Sequence, residues 1–203
     1  DRGLRDVGGL LAQLPRLEVL SLSNNCLHSL SGWPPLPELS VLNLNFNRLA
    51  SLEPLAACTQ LSKLYASSNK VGAIASLAAC TQLRALSLYR NRIASLESVV
   101  DVLSALPHLA EVDLGANPCS IGPAYRHRLV TALPALAVLD GDTLTEVDFE
   151  MAASFLDEEG GARKDHEEVG RLEGEYGLGS GGDGDERSRA PTCRAGREGS
   201  AGS

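Results

Sequence analysis

The chain has 203 residues, 43% apolar but only 4% aromatic, so any core must be filled by aliphatic side chains. Residues 1–150 carry 11 Lys/Arg against 14 Asp/Glu, and residues 151–203 carry 7 against 12, giving a net charge of −8. Such an acidic chain lacks the electrostatic footprint of a nucleic-acid binder. No apolar run is long enough to cross a bilayer and none reads as a signal peptide, so no membrane partner is expected.

Residues 1–16 read as a partial N-terminal repeat. Leu4 stands 23 residues before Leu27, as the end of an earlier copy would, so the chain is read as truncated at this end. Leu10, Leu11 and Leu14 are expected to cover the first end of the stack.

From Leu17 the pattern L-x-x-L-x-L-x-x-N-x-L begins, with Leu17, Leu20, Leu22, Asn25 and Leu27 in the fixed places. It returns at Leu39, Leu42, Leu44, Asn47 and Leu49, then at Leu61, Leu64, Ala66, Asn69 and Val71, and at Leu83, Leu86, Leu88, Asn91 and Ile93. A fifth copy holds Leu109, Val112, Leu114 and Asn117. The first four copies are 22 residues apart and the fifth follows after 26. Apolar residues and Asn in phase over that length specify a leucine-rich repeat solenoid over residues 17–117. The expected architecture is an α/β solenoid, a right-handed superhelix with a parallel concave sheet.

The L-x-L core of each copy has period two, so it predicts one short strand per turn with Leu20 and Leu22 inward and Val19, Ser21 and Ser23 outward. The corner residues Asn25, Asn47, Asn69, Asn91 and Asn117 are expected to form a structural ladder, their amides satisfying backbone groups that are otherwise buried unpaired. A 22-residue turn leaves room only for short 3₁₀ or irregular pieces on the convex side. The four extra residues before the fifth copy predict a true helix there, with Val99, Leu103 and Leu106 facing in. Ala66 and Val71 are smaller than their equivalents, and that turn is expected to be flatter or looser. Trp33 reads as local packing against Pro34 and Pro35.

Residues 118–156 read as a C-terminal helical cap, because the end of a solenoid exposes a whole layer of leucine. Thr145 is expected to cap a helix through Asp148, with Val147, Met151, Phe155 and Leu156 as its apolar residues. Residues 157–203 read as a disordered, Gly-rich acidic tail, with twelve of the 20 Gly from Gly160 onward and little branched apolar content.

The repeat spacing and the ending Asn117-Pro118-Cys119, Tyr125-Arg126, Leu133-Pro134-x-Leu136-x-x-Leu139-Asp140-Gly141 resemble the phosphatase-regulator class of leucine-rich repeats. That class includes many cilia- and flagella-associated repeat proteins, and the chain is similar to these. The resemblance covers about three quarters of the chain and implies a non-catalytic adaptor holding a protein partner on its strand face, in a cilium or its axoneme. The implied partner is an axonemal protein; the alternative, by the same resemblance, is a phosphatase catalytic subunit, which makes the chain a regulatory subunit. An RNA-splicing adaptor of the same repeat class and an enzyme with an unrecognised site are further alternatives.

Stacking sets outward residues in rows: Ser21, Asn43, Tyr65, Ser87, Asp113, and beside them Ser23, Asn45, Ser67, Tyr89, Gly115. Most are small and polar. Tyr65 and Tyr89 stand out on adjacent repeats, with Lys63, Arg84, Arg90, Asn43, Asn45 and Phe46 around them. Tyr and Arg are enriched at interface hot spots, so these eight residues form the candidate partner-binding patch. Two exposed tyrosines among five repeats are also compatible with ordinary surface.

No catalytic residues, cofactor or metal are expected. Gly177-Leu178-Gly179-Ser180-Gly181-Gly182 satisfies G-x-G-x-x-G but follows no strand and opens no helix. His28, His108, His127 and His166 assemble no ligand quartet. A Cys119–His127 nucleophile pair is less favoured than a Cys119 packed under the cap. The five Cys are odd in number with no C-x-x-C, so all read as reduced thiols in a cytoplasmic setting. Oligomeric state is not legible.

Overall fold

A computed structural model of the chain describes residues 8–155, all of which belong to one unit, Asp1–Arg163. The predicted tail over 157–203, Leu156, Cys193 and the glycine run at 177–182 lie outside the described residues, as does Leu4.

Each L-x-L core forms a three-residue strand: β1 (Val19–Ser21), β2 (Val41–Asn43), β3 (Lys63–Tyr65), β4 (Ala85–Ser87) and β5 (Glu111–Asp113). A sixth, β6 (Val138–Leu139), joins in the cap, and β7 (Asp142–Thr143) turns back on it. The seven strands form one sheet in chain order, parallel except for the antiparallel β6–β7 pair. Register is one repeat per step: Leu20, Leu42, Leu64, Leu86, Val112 and Leu139 lie in line. From Leu42 to Leu139 this inward row is buried; Leu20, with no complete layer before it, is half-buried.

On the other side the short repeats close with 3₁₀ turns at Glu53–Ala57 and Ala75–Ala79, burying Leu55 and Leu77. One turn of α-helix, α1 (Gly8–Leu11), precedes the first strand. The longer fourth connection contains α2 (Leu96–Ser104), whose Ser95 N-cap oxygen accepts the Ser98 N–H at 3.1 Å. Val99, Leu103 and Leu106 face in. Ala66 and Val71 are fully buried. The ladder passes through them unbroken, the Ala66 N–H donating to Ser87 O at 2.8 Å, so the expected loosening is not seen.

The corner asparagines are buried in all repeats but the first. Each side chain ties two repeats together. The Asn69 amide donates to Leu44 O of the previous repeat at 2.9 Å and to Ala66 O of its own at 3.0 Å, while its Oδ1 accepts the Leu49 N–H at 3.0 Å. Asn47, Asn91 and Asn117 repeat this set. Asn25, half-buried, donates to Leu22 O at 3.1 Å. The residue before each Asn adopts positive φ: Asn24, Phe46, Ser68, Arg90 and Ala116, at 55° to 58°.

The first end is covered less than expected. The single turn of α1 buries Leu11, while Leu10 and Leu14 stay 64% and 44% exposed. So short a helix presents only one of the three leucines inward. It sits close enough that a Cβ at Gly8 would collide with the Gly32 carbonyl.

The other end is closed by α3 (Ala124–Ala132) and a helical run over 146–155. Asp140 adopts φ 53°, turning its own carbonyl out of the ladder. Its carboxylate takes that place, accepting the Leu114 N–H at 2.8 Å and the Tyr125 hydroxyl at 3.1 Å. Burial, then the Asp140 charge, push the Tyr125 phenol well up, so it stays a donor. Asp148 accepts from the Thr145 N–H at 2.8 Å and from Arg126 at 2.8 Å; the Thr145 bond first and the Arg126 guanidinium next hold its carboxyl down at about 2.

That pair corrects the expected face of the last helix. Arg126 draws the Asp148 side inward, so Ala152 is buried, Phe149 packs on the core, and Phe155 stacks on His127 at 4.6 Å. Val147 and Met151 then point away, 58% and 57% exposed.

Cys58, Cys80 and Cys119 are buried free thiols, raised chiefly by burial, Cys80 to about 11; Cys26 is free and half-buried. The three buried thiols are packing residues with little thiolate character. Trp33, expected to pack against Pro34 and Pro35, packs against the leucine core. Its buried indole N–H makes no full hydrogen bond, but it faces the Cys58 thiol and lowers that pKa slightly against burial.

Because Asn69 serves three buried backbone groups, Asn69→Ala is expected to cost about 2–4 kcal/mol in denaturant unfolding. Asn25→Ala, at the partly exposed first corner, is expected to cost about 1 kcal/mol. Equal costs would show that the ladder does not couple the repeats.

Candidate protein-binding face

The inward side of the sheet is filled by leucine, so the outward side is the face left for recognition. β3 presents Lys63, exposed, and Tyr65, half-buried. Tyr65 lies in register between Asn43 on β2 and Ser87 on β4. Tyr89 follows β4 by two residues, 47% exposed, its ring over the next repeat. A Cβ at Gly115 would sit 3.2 Å from that ring, so glycine leaves the room the ring occupies.

The polar residues between the tyrosines are largely engaged with one another. Asn43 Oδ1 accepts the Asn45 N–H at 3.0 Å, and Asn45 Oδ1 accepts the Ser67 N–H of the next repeat at 2.7 Å. Ser87 donates to Asp113 Oδ2 at 3.1 Å and meets the Ser67 hydroxyl at 2.8 Å. With the Ser87 hydrogen used on Asp113, Ser67 is the donor in that pair. Asp113 Oδ1 accepts the Gly115 N–H at 3.2 Å. Asn43 and Asn45 thus stiffen the face through their carbonyl oxygens, leaving their amide N–H groups as donors toward a partner.

Between Tyr65 and the acidic strand β5 lies an open groove of about 230 Å³, with Ala85 in its floor and Glu111, Asp113 and Val138 on its far side. Sequence reasoning missed this feature. Its signal was Ala85, a small residue in the row that otherwise reads Val19, Val41, Lys63, Glu111 and Val138.

The eight expected residues do not all share one surface. Lys63, Tyr65 and Asn43 lie on the strands, and Asn45 and Tyr89 just past them. Arg84, exposed, stands immediately before β4. Phe46 and Arg90 occupy the left-handed corner position, at φ 56° and 55°, two repeats apart. Phe46 is 56% exposed, a bulky side chain in a conformation that favours Asn or Gly.

Among the described residues no group of three His, Cys, Asp or Glu is placed to hold a metal, and no helix is long and apolar enough to cross a membrane.

A family described as leucine-rich repeats in two copies matches residues 15–57 and 37–79. No curated protein sequence matches. Among solved structures, an internalin from Listeria monocytogenes is similar with TM-score 0.60 and 25% identity, over 70% of this chain and 39% of its own. A leucine-rich repeat protein of Leptospira interrogans has TM-score 0.53 and 26% identity, over 65% and 38%. The Drosophila melanogaster SNF/U2A′ complex has TM-score 0.52 and 23% identity, over 76% of both chains, a likeness of fold alone. The chain spans well under half the length of the internalin and the Leptospira protein.

Left-handed backbone costs an L-residue roughly 1–2 kcal/mol, and Asn tolerates it best. Phe46→Asn is therefore expected to raise stability by about 0.5–1 kcal/mol, read as a higher denaturation midpoint at unchanged m-value. A lower midpoint would mean that the Phe46 ring holds the corner.

The chain carries leucine-rich repeats over residues 15–79 and has the leucine-rich repeat solenoid fold, one that generally mediates protein–protein interaction.

Proposed function

We propose that the chain is a non-catalytic adaptor that docks a protein partner on its concave strand face, centred on Tyr65 and Tyr89 with Lys63 and Arg84 around them, while Arg90 stands at the corner beyond that patch. The observation that carries this reading is the pairing of two amphipathic rings on adjacent repeats with a groove beside one of them. The sheet beneath is held by its own hydrogen bonds, so little conformational entropy is lost on docking. The family that matches is a repeat and not an enzyme, which supports a binding role.

The finer assignment follows the resemblance of the cap: an axonemal protein of a cilium, in the cytoplasmic compartment, with a phosphatase catalytic subunit as the alternative. Tyr125, Arg126 and Asp140, which carry that resemblance, are the residues that bond the cap together. They identify no partner themselves.

The test is affinity capture from ciliated cells with the chain and its Tyr65→Ala/Tyr89→Ala variant, the captured proteins being identified by mass spectrometry. An axonemal protein held by the chain and weakened at least tenfold in the variant is the expected result, about 1.4 kcal/mol or more at two hot-spot positions. Capture of a phosphatase catalytic subunit instead selects the alternative. Equal capture by both chains removes the tyrosines from the interface.

A further inference from the structure

A second surface lies at the corner edge, away from the strands. The slot between each corner Asn and the leucine position that follows holds Arg48, Lys70 and Arg92 in three successive repeats, all exposed. Their backbones are in register: the Arg48, Lys70 and Arg92 N–H groups donate to Leu27, Leu49 and Val71 carbonyls, each at 2.8 Å. Successive cations are thus stacked at the spacing of parallel strands, roughly 5 Å per repeat. Among the described residues none of the three forms an ion pair, although Arg126 and Arg128 do. Arg90, exposed, stands two residues before Arg92, and exposed Phe46 two residues before Arg48.

Like charges at that spacing repel, and among the described residues no carboxylate is paired with them to offset it. The row lies in a chain whose net charge is −8. We propose that this edge docks an acidic segment of a partner protein, its carboxylates laid along the solenoid axis over Arg48, Lys70 and Arg92, with Phe46 as an apolar contact at one end. Charge complementarity selects the occupant. Three or four cations are fewer than the phosphate contacts that hold nucleic acid, and the acidic remainder of the chain opposes a long polyanion. A short acidic segment meets the local row without meeting the rest of that field.

The test uses a fluorescent oligoglutamate peptide, titrated with the full chain at low salt. The expected result is saturable binding that weakens at least tenfold in R48E/K70E/R92E and weakens with added salt, as pairing between exposed charges requires. The neutral variant R48Q/K70Q/R92Q keeps the reading testable if charge reversal disturbs folding. It is expected to bind several-fold more weakly while melting at the same temperature as the native chain or higher. Tyr65→Ala/Tyr89→Ala is expected to leave peptide binding unchanged, which separates this edge from the strand face. Absent binding, binding undiminished in both edge variants, binding lost in the tyrosine variant, or tighter binding of oligouridylate or of phosphatidylserine vesicles than of the peptide would each overturn the proposal.

Discussion

The structure depends on one constraint: a corner that turns the chain inward leaves backbone N–H and C=O groups buried, and they must be paired. The corner Asn meets it with a side chain that both donates and accepts. Because Asn69 reaches Leu44 O behind it and accepts from Leu49, no repeat satisfies its own corner alone. Leucine burial drives the stack together, but it is non-directional. The amide ladder fixes how far each repeat advances on the last, and that advance sets the rows on the outer face.

The same constraint shapes both ends. In the earlier repeats the N–H equivalent to that of Leu114 donates to a strand carbonyl of the next repeat, and at the last one it needs another acceptor. Asp140 supplies a carboxylate oxygen, and Tyr125 donates to that same oxygen from α3. The last helix is positioned in turn by Arg126 on Asp148. The first end has no such device within the described residues. There, one helical turn lays Leu11 on the stack and leaves Leu10 and Leu14 facing water.

The solenoid was legible because its determinants are local and periodic. Leu and Asn recur in fixed places, and the extra residues of the fourth connection announced α2. What was not legible depends on partners distant in the chain or on backbone conformation without a residue signature. The left-handed corner holds Asn24, Phe46, Ser68, Arg90 and Ala116, with no common chemistry to reveal it. The buried side of the last helix was misread because Val147 and Met151 look like core, while the ion pair that orients the helix spans 22 residues. The tyrosines of the strand face were visible from spacing alone. The groove beside Tyr65 was not, since it comes from the smallness of Ala85 against its neighbours in the sheet.

The outer face is therefore a rigid surface whose order comes from beneath it. The most direct measurement is native-state hydrogen exchange of the amides that the corner asparagines hold, those of Leu27, Leu49, Val71 and Ile93. If the ladder makes one coupled stack, all four exchange with a common opening free energy close to that of global unfolding. Graded values, each repeat opening independently of the next, would contradict it.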